Sequence, residues 1–356
     1  MERRLAKLRE QLGAREIDGL LVLGPENRRY LSGFTGSSGA LLITQEKAFL
    51  VTDFRYVEQA KSEAVGFSVV QHTARMLSCI AELAAGVVKR MGFESDYLTY
   101  HQFEIFSKAI EAEMIPVSGV VEALRMIKDP EEVRAISEAA SIADAAFSEI
   151  LGIIRPGVTE KRIALELEYL MRMAGSSGVA FESICVSGLR SSMPHGTPTD
   201  KLIEAGDFVT LDFGAVIDGY RSDMTRTVIV GEPSEEQRKV YELVLAAQMR
   251  ALSSVAPGKK CKEVDEVARR IIDEAGHANH FGHGLGHGVG LAVHEEPRLS
   301  PSAEDTCVLE PGMVVTVEPG VYVPGRGGVR IEDLVLVTET GHSVLSKSPK
   351  HLISIK

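Results

Sequence analysis

The feature that most constrains this chain is an internal repeat in its second part. Pro156-Gly157 and Pro257-Gly258 lie 101 residues apart, and the helical patterns that follow them end at Ala174-Gly175 and Ala275-Gly276, again 101 apart. After an insertion the match resumes at an offset of 106: EAGDFVTLDFG at 204–214 aligns with EPGMVVTVEPG at 310–320, with five identities in eleven. Amphipathic helices match one another by chance, so the strand match carries more weight, and it superimposes Asp212 on Glu318. Each half reads helix, helix, strand, hairpin. Two similar α+β units about a pseudo-twofold axis are therefore expected.

The hairpins carry the chemistry. FVTLDFGAVIDGYRSDMTRTVIV (208–230) reads as two strands joined at Asp218-Gly219, a dipeptide suited to a tight turn. With those two residues in the loop, Gly214 faces Asp223 and Asp212 faces Thr225. The two-residue period then puts Asp212 and Asp223 on one face, diagonally adjacent. In the second half, VVTVEPGVYV and GVRIEDLVLV flank VPGRGG, with Glu318 and Glu332 nearly symmetric about its centre. A single acidic residue in a strand is ordinarily a solvated one. These four stand among Val, Leu, Ile and Phe, where an unpaired buried carboxylate costs several kcal/mol unless a cation or proton compensates it. Four such acids on two related hairpins point to metal.

Five of the ten histidines fall in 277–294, within HANHFGHGLGHGVGLAVHEEP. Glycine at 282, 284, 286, 288 and 290 rules out a stable helix and with it the HExxH zinc pattern, and no frame yields GxGxxG. The segment is expected to run extended or looped, its backbone close to something, presenting His283, His287 and His294. Upstream, His195 in Met193-Pro194-His195-Gly196 is a further candidate.

Residues 1–128 alternate apolar runs (GLLVLG, ALLIT, KAFLVTD, FSVVQH) with amphipathic segments, including a helical stretch near 77–91, and read as a small α/β domain with a mixed sheet. Lys128-Asp129-Pro130 opens a long amphipathic helix, which places the domain boundary at 128/129. The first part is neutral, with 16 basic and 16 acidic residues, and the net charge of -11 lies wholly in 129–356. An acidic second domain repels phosphate backbones, which excludes nucleic acid as a partner. No apolar run is long enough for a membrane span and the N-terminus lacks a signal peptide's apolar segment, so a cytoplasmic protein is expected. Cys79, Cys185, Cys261 and Cys307 show no CxxC pairing and read as reduced thiols.

Taken together, Asp212, Asp223 eleven residues on, His287 in GHG, Glu318 in VEPG and Glu332 in VRIED resemble the five-ligand signature of the pita-bread metallopeptidases. That superfamily comprises methionine aminopeptidases, prolidases and aminopeptidases P. The first 128 residues also resemble the creatinase/prolidase-type N-terminal domain, including a DxRY segment, so the resemblance covers nearly the whole chain. It implies an N-terminal α/β domain (1–128) and an α+β pita-bread, creatinase/aminopeptidase-like catalytic domain (129–356).

The same resemblance implies a site with two divalent ions. Asp212 would chelate one, Asp223 and Glu332 bridge both, and His287 with Glu318 complete the other. Four carboxylates and an imidazole without thiolate suit Mn²⁺ first, with Co²⁺ or Zn²⁺ as alternatives. A hydroxide bridging the ions would attack the peptide carbonyl, with Glu318 also passing a proton to the leaving nitrogen. His294 and His195 match positions that steady the tetrahedral intermediate and the scissile carbonyl, and His283 matches a substrate-pocket position of the proline-directed branch. Arg330, on the same strand face as Glu332, would orient ligands or substrate. Arg298 resembles a position proposed to bind a dipeptide's free carboxylate in microbial prolidases. The expected activity is hydrolysis of the Xaa-Pro bond at the N-terminus of dipeptides or short peptides, by a homodimer. The alternatives are a methionine aminopeptidase-like enzyme, a non-catalytic binding relative on the same fold, or a metal-free relative such as creatinase.

Overall fold

Apolar runs too short to bury themselves alone pair into a six-stranded mixed sheet in the first part of the chain. The computed structural model describes residues 1–356, which divide into two compact units, Met1–Arg125 and Met126–Lys356. In the first unit the strands are β1 (Gly19–Val22), β2 (Ala40–Thr44), β3 (Ala48–Thr52), β4 (Ser68–Gln71), β5 (Arg90–Glu94) and β6 (Glu113–Val117). They stand in the order β4-β3-β2-β1-β5-β6, with β1–β2 and β2–β3 antiparallel and the remaining pairs parallel. Helices α1 (Glu2–Ala14), α2 (Pro25–Ser32), α3 (Val57–Glu63), α4 (Met76–Ala84), α5 (Tyr100–Ala109) and α6 (Val120–Met126) complete the unit's elements. Leu21, Leu42, Val51, Ile80 and Met91 sit in one shared core.

One expectation needs correction here. The helical stretch read near 77–91 ends at Ala84, because Gly86 adopts φ 70, where a helix stops, and Arg90–Glu94 pairs as β5. The compact units divide at 125/126, three residues before the boundary expected at 128/129. Met126 and Ile127 pack on the core of the second unit, and the Lys128 backbone N–H donates to the Gly312 carbonyl at 2.9 Å.

The second unit is built twice from the same plan. Its first half comprises α7 (Pro130–Ile150), α8 (Glu160–Met173), β7 (Ile184–Ser187), β8 (Phe208–Phe213), β9 (Val216–Ile217), β10 (Tyr220–Arg221) and β11 (Met224–Val230). The second comprises α9 (Glu235–Ser254), α10 (Cys261–Glu274), β12 (Gly286–Gly288), β13 (Glu295–Leu299), β14 (Val314–Val317), β15 (Gly320–Val323), β16 (Gly327–Arg330) and β17 (Asp333–Thr338), followed by β18 (Gly341–Val344) and β19 (Ser354–Ile355). The antiparallel series β7-β8-β11 is echoed by β12-β14-β17. β13 has no strand counterpart in the first half. Asp129 starts α7 with a capping box closed by Glu132, with Pro130 in the first turn, as the Lys-Asp-Pro signal requires. Phe147, Ile163, Leu167 and Leu211 pack one half, and Val244, Ile272, Val315 and Val335 the other. No helix is long and apolar enough to cross a membrane.

Candidate metal centre

The register of the two hairpins decides where the acids go. In the first, Ile217 pairs with Tyr220, leaving Asp218 and Gly219 as the two loop residues, and both have positive φ (48° and 74°) as a type I′ turn demands. Thr225 pairs with Asp212, so the register read from the sequence is the observed one. In the second, β15 pairs with β16 and β14 with β17 in one continuous register, which sets Glu318 opposite Glu332 in the unpaired step between the two ladders.

Each of the ten side chains named from the sequence lines a single cavity of about 380 Å³: Asp212, Asp223, His287, Glu318, Glu332, His195, His283, His294, Arg298 and Arg330. Asp223, His287 and Glu332 form the tightest group, with one ligand atom from each lying within 4.8 Å of the others. His287 Nε2 stands 3.6 Å from Asp223 Oδ2 and 3.3 Å from Glu318 Oε1. Its Nδ1 faces the Gly288 carbonyl at 3.0 Å, and its backbone N–H donates to Thr316 Oγ1. The flanking glycines are there for close approach: a Cβ on Gly286 would meet the Thr316 carbonyl oxygen at 2.1 Å, and one on Gly288 the Glu296 carbonyl oxygen at 2.2 Å. The segment is looped and extended, as expected, with strand at Gly286–Gly288 and a short 3₁₀ turn at Ala278–His280.

Arg330 ties the wall together. Its Nη2 donates to Asp212 Oδ2 at 2.5 Å, its Nε to Thr225 Oγ1 at 3.0 Å and its Nη1 to Tyr322 Oη at 2.8 Å. Tyr322 Oη in turn lies 3.0 Å from His283 Nε2. The His294 ring stands edge-on to His287 with centroids 4.4 Å apart. Arg298 is half exposed at the cavity, its Nε 3.8 Å from Glu296 Oε1, and His195 is exposed.

Three supporting residues escaped the reading of the sequence: Thr225, Thr316 and Tyr322. Thr225 Oγ1 donates to Glu332 Oε2 at 2.7 Å and Thr316 Oγ1 to Glu318 Oε1 at 3.0 Å. A signal existed, because Thr225 and Thr316 each stand two residues along the chain from a carboxylate at the end of its strand, the spacing that puts side chains on one face.

Comparison with known proteins places these features in a family. Residues 134–339 match the model of metallopeptidase family M24, and residues 4–127 that of the creatinase/prolidase N-terminal domain. The chain belongs to metallopeptidase family M24. It is 42% identical to the Xaa-Pro dipeptidase of Pyrococcus furiosus, over 99% of this chain and all of that one. A solved structure of an Xaa-Pro dipeptidase from Bacillus anthracis is 48% identical with a TM-score of 0.97, covering 99% of both chains. An X-Pro aminopeptidase from Thermotoga maritima is 39% identical with a TM-score of 0.90, covering 96% of this chain and 98% of that one.

As an M24 metallopeptidase the chain implies divalent metal, and its residues fit that cofactor. Asp212 Oδ1 and Glu332 Oε1 are buried with no hydrogen-bond partner in the protein, the situation of a ligand atom aimed at an ion. Burial and the neighbouring Glu332 and Asp212 carboxylates push Asp223 well above the carboxylate range, and burial with Glu318 and Asp212 does the same to Glu332. Only positive charge relieves that repulsion without protonation. Burial also raises Asp212, against the pull of Arg330. Glu318 differs: burial would raise it, but its hydrogen bond and charge interaction with His287 bring it down to about 2. Burial, followed by repulsion from His287, takes His294 down to about 4, so its ring is neutral at pH 7 and keeps one N–H donor.

Metal uptake is therefore coupled to protons. Asp223 and Glu332 hold protons to higher pH in the metal-stripped protein and lose them to the ion, so binding releases protons and affinity falls as pH falls. Calorimetry of Mn²⁺ binding in buffers of different ionisation enthalpy should show net proton release at pH 6–7. Proton uptake, or affinity independent of pH, would contradict the coupling.

Proposed function

We propose that this M24 metallopeptidase hydrolyses the Xaa-Pro bond at the N-terminus of dipeptides and short peptides. The observation that carries the reading is the convergence of four carboxylates and His287 in one cavity that also holds His195, His283, His294 and Arg298. Asp212, Asp223, His287, Glu318 and Glu332 would hold two divalent ions, Mn²⁺ by the hard, oxygen-rich donor set. Such ions supply Lewis acidity at the scissile carbonyl and activate water as the nucleophile.

The chain's own groups supply the rest. Glu318, ionised and half-committed to Thr316 and His287, takes a proton from the attacking water and passes it to the proline nitrogen as the bond breaks. Neutral His294 and exposed His195 stand where N–H donors can stabilise the carbonyl oxygen as charge develops on it. Tyr322 holds the His283 ring at the cavity wall, where it meets the substrate. Arg330 aims Asp212 through their ion pair and pulls against the burial that favours its protonated form.

Arg298 carries the choice between dipeptidase and aminopeptidase. A guanidinium at the cavity, held only loosely by Glu296, is a bidentate partner for the carboxylate that follows proline in a dipeptide. Arg298→Ala should lower kcat/KM for Xaa-Pro by about 10–100-fold, mainly through KM, while Xaa-Pro-Yaa changes by less than about 3-fold. Dipeptide cleavage left intact would remove the carboxylate anchor and favour the aminopeptidase reading. The methionine aminopeptidase alternative is disfavoured by the creatinase/prolidase N-terminal match, and the non-catalytic one by the complete donor set. Four free cysteines accord with a cytoplasmic site of action, and the homodimer rests on the family resemblance, with sedimentation as its check.

A further inference from the structure

The segment that bears His195 lies between β7 and β8, and His195 itself is exposed. Its placement at the cavity depends on how the segment is held, at its base as well as beside the site. One buried side chain reaches both ends of it. Glu160, in the first turn of α8, is fully buried. Its Oε1 accepts from the Ser187 backbone N–H at 2.7 Å and from Ser187 Oγ at 3.1 Å. Its Oε2 accepts from the Thr199 backbone N–H at 3.0 Å, from Thr199 Oγ1 at 2.8 Å and from Arg190 Nε at 3.1 Å.

One carboxylate thus joins the two ends of the 187–199 segment and a cation inside it. Arg190 extends the clamp through Nη2 to the Thr197 carbonyl at 2.6 Å. The segment's far side touches the site directly, since the Pro194 carbonyl accepts from Arg330 Nη1 at 3.2 Å. Helix packing alone explains none of this, because an apolar residue at 160 would fill the space and leave the Ser187 and Thr199 N–H groups unpaired.

We propose that Glu160 is a positioning residue for catalysis: it cinches the base of the 187–199 segment and so fixes where His195 meets the substrate carbonyl. The proposal rests on the role given to His195 above. Charge-assisted acceptance of two backbone N–H groups at opposite ends of a segment sets its span in a way a neutral amide cannot reproduce, since a Gln at 160 meets those donors with one N–H₂ of its own.

The test is a double-mutant cycle in the metal-loaded enzyme, with amide exchange of the metal-free protein as a second readout. His195→Ala should lower kcat for an Xaa-Pro substrate, and Glu160→Gln should lower it by about 10–100-fold, the scale of a displaced catalytic group. In the His195→Ala background, Glu160→Gln should change kcat by less than about 2-fold, because the group it places is gone. Exchange should rise at residues 187–199 and stay unchanged at 281–299. Thr199→Val, which keeps the backbone bond, should give a smaller loss in the same direction and serves if Glu160→Gln fails to fold. An equal further loss in both backgrounds, or unchanged exchange at 187–199, overturns the proposal while leaving His195 in its role. Full activity of His195→Ala overturns that role and the proposal with it.

Discussion

Asp223→Asn should lower kcat/KM by at least about 10³-fold and reduce the metal content, while making the metal-stripped protein more stable at pH 7. The loss follows from removing a carboxylate that reaches both His287 and Glu332 in the tightest donor group of the cavity, with several kcal/mol of transition-state stabilisation resting on a correctly held metal. The gain follows from the same electrostatics with the opposite sign. In the protein alone, Asp223 is raised by burial and by Glu332 and Asp212. A carboxyl whose folded pKa is raised contributes stability at low pH and loses it as pH rises through the folded value, so ionised Asp223 works against the metal-free fold at neutral pH. Asparagine does permanently what a proton does. The stripped variant should therefore melt higher than the stripped parent, by about 2–4 °C for each kcal/mol of repulsion relieved. Metal analysis, kinetics and paired melts in chelator check it. A variant that keeps its full metal complement and a tenth of its activity would rule out Asp223 as a ligand.

Arg330→Met should be the most damaging single change to the fold of the site, costing about 3–5 kcal/mol of stability. The guanidinium is buried and satisfies Asp212 Oδ2, Thr225 Oγ1, Tyr322 Oη and the Pro194 carbonyl. Its loss strands a carboxylate that burial already raises. The cost should be largest at neutral and higher pH and shrink as pH falls far enough to protonate Asp212. Arg330→Lys should recover part of the stability, since it restores the charge but not the fork that reaches several acceptors at once. Denaturant melts of parent, Met and Lys variants at pH 5 and pH 8 provide the check. A cost of equal size at both pH values would mean that lost packing, not the stranded charge, dominates.

Much of this was legible in the residues because strands and tight turns obey short rules. Asp218-Gly219 admits a two-residue turn with positive φ at both positions, and that choice alone sets Asp212 opposite Thr225. The alternating glycines of 282–290 foretold a backbone pressed against its neighbours, and at Gly286 and Gly288 it is. Local rules misplaced the end of α4, where an apolar stretch fits helix and strand equally and only pairing with β1 and β6 selects β5. They were silent on Glu160, an ordinary acid in a first helical turn by sequence, whose partners lie 27–39 residues away.

The sequence by itself determined the duplicated plan, the register of the first hairpin and the near-symmetric placing of Glu318 and Glu332 about the second, because each follows from spacing within a single strand or turn; Arg298 and the parts given to His195, His283 and His294 came from the family resemblance. Only the tertiary structure decided that the two hairpins face one another so that their acids share a cavity with His287. It alone decided that Arg330 pairs with Asp212, 118 residues away, and that Thr225 of one half supports Glu332 of the other. Those contacts join the two halves of the repeat. Which residues meet there depends on how two sheets pack, a property of shape and buried charge that no local pattern encodes.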